Sequence, residues 1–101
     1  MTVAFCAETR NRIRVSVAAY AYEVADDPIM TDAEFDSLCN KIDQNVTTGR
    51  ADEDFFFLLD FEPHTGSWVH KHPDLPGIKR LYESFYKGKT EAPIDDWMDL
   101  I

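Results

Sequence analysis

The stretch Asp26-Asp27-Pro28-Ile29-Met30-Thr31-Asp32-Ala33-Glu34-Phe35-Asp36 decides the fold. Pro28 disfavours helical backbone at Asp27, so a helix arriving from the N-terminal side must stop before it. Thr31 suits an N-cap, and Glu34 three residues later completes a capping box. Met30 ahead of the cap and Phe35 at the fourth helical position match a hydrophobic staple. Asp32 and Glu34 in the first turn complement the positive end of the helix dipole. The stretch therefore predicts a helix stop, a short loop and a helix start, which together make a helical hairpin.

On the N-terminal side, the spacing predicts a helix over 9–25. Ile13, Val17, Tyr20, Ala21 and Val24 form one apolar stripe, and Val15, Ala18, Ala19 and Tyr22 a second on the other side. A helix apolar on both sides is expected at the centre of its domain. Arg10, Arg12 and Arg14 make the one basic cluster, with Arg10 and Arg14 expected in solvent. On the C-terminal side, Phe35, Leu38, Cys39 and Ile42 give a single stripe and predict a helix over 32–44.

Beyond the hairpin, the acidic lead-in Ala51-Asp52-Glu53-Asp54 and the run Phe55-Phe56-Phe57-Leu58-Leu59 predict a third helix, although periodicity alone does not separate helix from strand in so short a run. Residues 62–67 read as a loop that Trp68 and Val69 anchor. Ile78, Leu81, Tyr82, Phe85 and Tyr86 predict a fourth helix over 77–87. The expected fold class is all-α: one compact domain over 1–90, with the hairpin at 9–44, an inserted segment at 45–76, the last helix at 77–87, and an acidic-hydrophobic tail at 91–101. Ile13, Val17, Tyr20, Leu38, Ile42, Leu58, Leu81 and Phe85 are expected to be buried together.

Nineteen acidic residues against ten basic ones give a formal net charge of −9. That balance argues against direct DNA binding and against anionic membranes, because phosphates are repelled. No apolar run is long enough to cross a bilayer, and the first residues lack a signal-peptide pattern. Cys6 and Cys39 have neither metal nor redox spacing and read as buried reduced thiols of a cytoplasmic protein. His64, His70 and His72 are irregularly spaced for a metal site and read as loop histidines.

Tyr22, Asp26-x-Pro28 and the run Asp32-Ala33-Glu34-Phe35-Asp36 resemble domain Ia of the NAD-dependent DNA ligases. In that family the small helical domain holds the nicotinamide mononucleotide half of NAD. The likeness spans residues 12–42, and His72-Pro73-Asp74-Leu75 is similar to a His-Pro-acidic-Leu segment of the family. Glu23 stands where the family has His and Phe35 where it has Tyr, and the segment before His72 is much longer than the family's. The resemblance implies a ligand site made of Tyr22, Glu23, Asp32, Phe35 and Asp36, with nicotinamide mononucleotide or its riboside as the ligand. A flat cationic ring suits aromatic faces and carboxylates. A glutamate at position 23 favours a ligand with no phosphate there. The plain alternative is that Tyr22 and Phe35 belong to the core, Asp32 serves the helix dipole and Asp36 is solvated.

No catalytic residue is expected. Lys41-Ile42-Asp43-Gln44 matches the ligase nucleophile loop in spacing, but Gln replaces the family's Gly and the segment falls in an expected helix. The chain therefore reads as a non-catalytic acidic binding protein, a phage or mobile-element accessory factor acting on a nucleic-acid-processing or defence complex. Two other readings stay open: a nicotinamide nucleotide or nucleoside binder, and a DNA-mimic inhibitor of a CRISPR or restriction system. The expected partner is a protein with a basic surface, met by Asp26 and Asp27 or by Trp97, Met98 and Leu100 of the tail.

Overall fold

The computed structural model describes residues 3–86, with side chains from residue 7 onward. The tail, with Trp97, Met98 and Leu100, lies outside the described residues, as does the side chain of Cys6. Four α-helices and one 3-10 helix follow in order, with no strand among the described residues: α1 (Val3–Glu23), α2 (Asp32–Lys41), α3 (Ala51–Leu59), the 3-10 helix (Ser67–Lys71) and α4 (Leu75–Phe85). The fold is all-α, and the chain forms one small domain.

Both apolar stripes of α1 are used, which makes it the central element. Val15, Ser16, Val17, Ala18, Ala19, Tyr20 and Ala21 are all buried, and α1 packs against α2, α4 and the 3-10 helix. It begins earlier than expected because residues 3–8 contain neither Gly nor Pro to break it. It ends by unwinding. The Ala25 N–H donates to the Tyr20 carbonyl at 3.1 Å and the Asp27 N–H to the Ala21 carbonyl at 2.8 Å. Between them, Asp26 has φ 51°, a left-handed conformation that aspartate tolerates better than most residues.

The start of α2 follows the capping-box expectation. Thr31 Oγ1 accepts from the Glu34 N–H at 3.1 Å, and the Glu34 side chain accepts from the Thr31 backbone N–H. Such a cap is worth about 1 kcal/mol. Met30 and Phe35 both pack against the core. The helix stops at Lys41, three residues short of the expected end. Beyond that point tertiary bonds take the backbone: Glu8 Oε1 accepts from the Asp43 N–H, and Arg12 Nη2 donates to the Asp43 and Val46 carbonyls. Gln44 Nε2 reaches the Phe57 and Phe61 carbonyls.

Arg12 is buried, which corrects its place in a basic surface cluster. Its Nε meets Glu8 Oε2 at 2.6 Å, its Nη1 meets Asp54 Oδ1 at 2.8 Å, and its guanidinium lies 4.9 Å from the Phe57 ring centre. Asp54 also accepts from the Thr48 amide and hydroxyl. A buried charge is tolerable only when it is paired and hydrogen-bonded, and this one is both. Of its expected neighbours, Arg10 is exposed and Arg14 half-buried, so Arg14 is not the solvated residue its position suggested.

α3 turns two of its five consecutive apolar residues inward. Phe56 and Phe57 are buried, and with Phe61, Trp68 and His72 they form a cluster of edge-to-face and tilted rings. Leu58 is 48% exposed, and Phe55 and Leu59 more so. Leu58 is therefore no core residue: at 100° per residue, a helix that buries positions 56 and 57 turns 58 and 59 away. Val17, Tyr20 and Leu38 are buried as expected, while Ile13, Ile42, Leu81 and Phe85 are partly buried against the core.

α4 starts two residues earlier than the apolar stripe suggested. Asp74 is its N-cap and accepts from the Gly77 N–H at 3.2 Å, with Pro76 in the first turn. A side chain at position 77 would collide with that carboxylate, so the cap depends on Gly77. Ile78, Tyr82 and Tyr86 face the core, with the Tyr82 ring 5.5 Å from that of Tyr20.

Candidate functional site

The end of α1, the start of α2 and the loop before the 3-10 helix converge on one cleft of about 390 Å³. Tyr22 and Glu23 come from the last turn of α1. Asp32, Phe35 and Asp36 come from the first turns of α2, where positions one, four and five share a face. His64, Thr65 and Gly66 close the third side. All five residues implied by the ligase resemblance thus line one concavity, although they belong to two helices separated by an eight-residue turn.

Tyr22 is 57% exposed, so its ring is a wall of the cleft and not part of the core. Phe35 is half-buried, with the core behind it. Three carboxylates, from Glu23, Asp32 and Asp36, face the same space as these two rings. Such a surface attracts a flat cation: ring faces and carboxylates both carry negative potential.

Histidines meet these carboxylates from the far side. His64 Nδ1 lies 3.1 Å from Asp36 Oδ1, and His70 Nε2 lies 3.9 Å from Glu23 Oε2. Gly66 rests against α1 so closely that a methyl group there would press on Glu23 and Ala19. The His64 backbone lies near the Cys39 thiol and works to lower its pKa, but burial outweighs it and raises the thiol. The loop is therefore seated on both helices of the hairpin.

His72 belongs to a different environment. It is buried against Phe56, and its Nδ1 accepts from the Asp74 N–H at 2.9 Å. Burial pushes its pKa down to about 4 against the opposing pull of the Asp74 carboxylate, and Glu53 Oε1 stands 3.8 Å from its Nε2. Glu53 is itself pushed up by burial. The three histidines thus have three different partners, and among the described residues no group of three His, Cys, Asp or Glu is placed to hold a metal ion.

Of the residues expected to meet a partner, Asp26 is exposed. Asp27 accepts from the Tyr82 hydroxyl at 2.6 Å, which gives it a bond within the fold. His64, Thr65 and Gly66 were not singled out as site residues in the sequence. Their loop lies 28 residues beyond Asp36 at His64, and nothing local marks where it docks.

The chain matches no family model, and no match is found among curated proteins or solved structures. No helix among the described residues is long and apolar enough to cross a membrane.

Proposed function

We propose that the protein is a non-catalytic binding module whose cleft takes a flat organic cation of the nicotinamide riboside type. One observation carries this reading: Tyr22, Glu23, Asp32, Phe35 and Asp36 line a single cleft of ligand size. Tyr22 and Phe35 offer ring faces to a pyridinium, an interaction worth roughly 0.5–2 kcal/mol per contact. Glu23, Asp32 and Asp36 supply counter-charge. The same carboxylates oppose a phosphate, so the riboside is favoured over its mononucleotide, and NAD is disfavoured further. The N-terminus of α2 would attract an anion, but Asp32 and Glu34 already answer that partial charge.

Isothermal titration with nicotinamide riboside, nicotinamide mononucleotide and NAD tests the reading. The expected order of affinity is riboside, mononucleotide, NAD, with binding of the riboside lost in Asp36→Ala. No heat at millimolar riboside would overturn it.

A second reading has its own observation. Phe55, Leu58 and Leu59 leave an apolar face on α3 beside a groove of about 310 Å³ bordered by Val46 and Ala51. With a net charge of −9, such a face suits a protein partner with apolar and basic residues. Under that reading, association slows as salt screens the charge, and Leu59→Asp weakens the complex.

A further inference from the structure

We propose that His64 is a tethered competitor for the cation position of the cleft, which it occupies until a ligand displaces it. The proposal rests on the cationic-ligand reading above. Asp32 and Asp36 lie one turn apart on the same helix face, where like charges repel and a positive group relieves them. His64 Nδ1 stands 3.1 Å from Asp36 Oδ1. It is a group of the fold itself, beside a carboxylate with which a ligand cation would pair.

The placement is built into the backbone. His64 has φ 71°, a left-handed conformation that costs free energy in a residue other than Gly. Two residues on, Gly66 is seated against Ala19 and Glu23 of α1, which fixes the loop that carries His64. The residue lines the cleft, with about half of its side-chain surface in water. A half-exposed ring can swing out without rearranging the core.

The competition is one of place: the imidazole seated at Asp36 must leave before a ligand cation can pair with that carboxylate. The other charged groups around the cleft are Asp32 of α2, Glu23 of α1 and His70 of the 3-10 helix, which lies beside Glu23.

The probe is nicotinamide riboside, titrated into the wild-type chain, His64→Asn and His64→Ala. Asparagine tolerates a positive φ, so His64→Asn preserves the loop even if His64→Ala strains it, and thermal unfolding of both variants checks this. The expected result is tighter binding in both variants, by about two- to fivefold, the worth of an exposed pair. Unchanged or weaker binding in His64→Asn, with the wild type still binding, would overturn the competitor role and leave the cleft reading standing. No binding to any of the three chains would overturn both.

Discussion

The Tyr82 hydroxyl donates to Asp27 Oδ2 over 2.6 Å and so ties α4 to the turn between α1 and α2. The two residues are 55 positions apart, and the bond closes the hairpin from outside. It holds the turn that sets Tyr22 and Glu23 opposite Asp32 and Asp36. Burial first, and then the Asp27 carboxylate, push the Tyr82 pKa up to about 12.

Tyr82→Phe should therefore lower stability by about 1.5 kcal/mol at neutral pH, the usual worth of a hydrogen bond to a charged group. Urea unfolding measures it. Because the folded value lies above the unfolded one, this contribution is complete below the ordinary tyrosine range, about 10, and is lost as pH rises through about 12. The variant should lose less stability than the wild type over that window.

Arg12→Met should cost about 3–5 kcal/mol, because it leaves Glu8 buried without its cation. Double substitution with Glu8→Gln should recover part of the loss. Burial works to raise the pKa of Asp54, but the Thr48 hydroxyl and amide and the Arg12 guanidinium outweigh it and hold the carboxyl below its usual range. That stability is present above the ordinary aspartate range and disappears as pH falls through the folded value. In Arg12→Met part of that contribution is gone, so the stability of the variant, lower at neutral pH, should fall less steeply with acid over the window in which Asp54 takes up its proton, as urea midpoints at several pH values would show.

His72 gives a second acid dependence. Its folded-state pKa of about 4 lies below the unfolded one, so the unfolded chain takes up the proton first as pH falls. Stability is complete above about 6.5 and declines toward about 4. Between pH 7 and pH 5 the loss should be about 2 kcal/mol, read as a shift in urea midpoint. In His72→Gln the midpoint should move much less over the same interval, though its absolute value will be lower.

The register of α3 is tested by a pair of substitutions on opposite faces of the helix. Phe57→Ala should cost about 3–5 kcal/mol, since Phe57 is fully buried among aromatic rings. Leu59→Lys should change stability by no more than about 0.5 kcal/mol, since Leu59 is 74% exposed. Equal losses in thermal unfolding would mean that α3 is rotated from the orientation described.

The helices were legible in the sequence where local chemistry sets them. Thr31 with Glu34, Pro28 after two aspartates, and the stripe from Ile78 to Tyr86 each carry their own signal. What stayed hidden depends on partners distant along the chain. Nothing near Arg12 announces Asp54, 42 positions on, so the arginine read as part of a surface cluster. Five apolar residues in a row gave no phase for α3, and the choice of Phe56 and Phe57 over Leu58 came from Trp68 and His72. In the cleft, the five residues on α1 and α2 could be named from their motif. His64 could not, because a loop reveals its docking place only when folded.

The bonds of Arg12 also bear on how the molecule opens. One guanidinium holds the first half of α1 through Glu8, the connection after α2 through the Asp43 and Val46 carbonyls, and α3 through Asp54. None of these three stretches can detach alone without stranding a buried charge. Local fraying is thereby converted into a concerted event: amide protons in 8–16, 43–48 and 51–57 should exchange with a common opening free energy, as one cooperative unit.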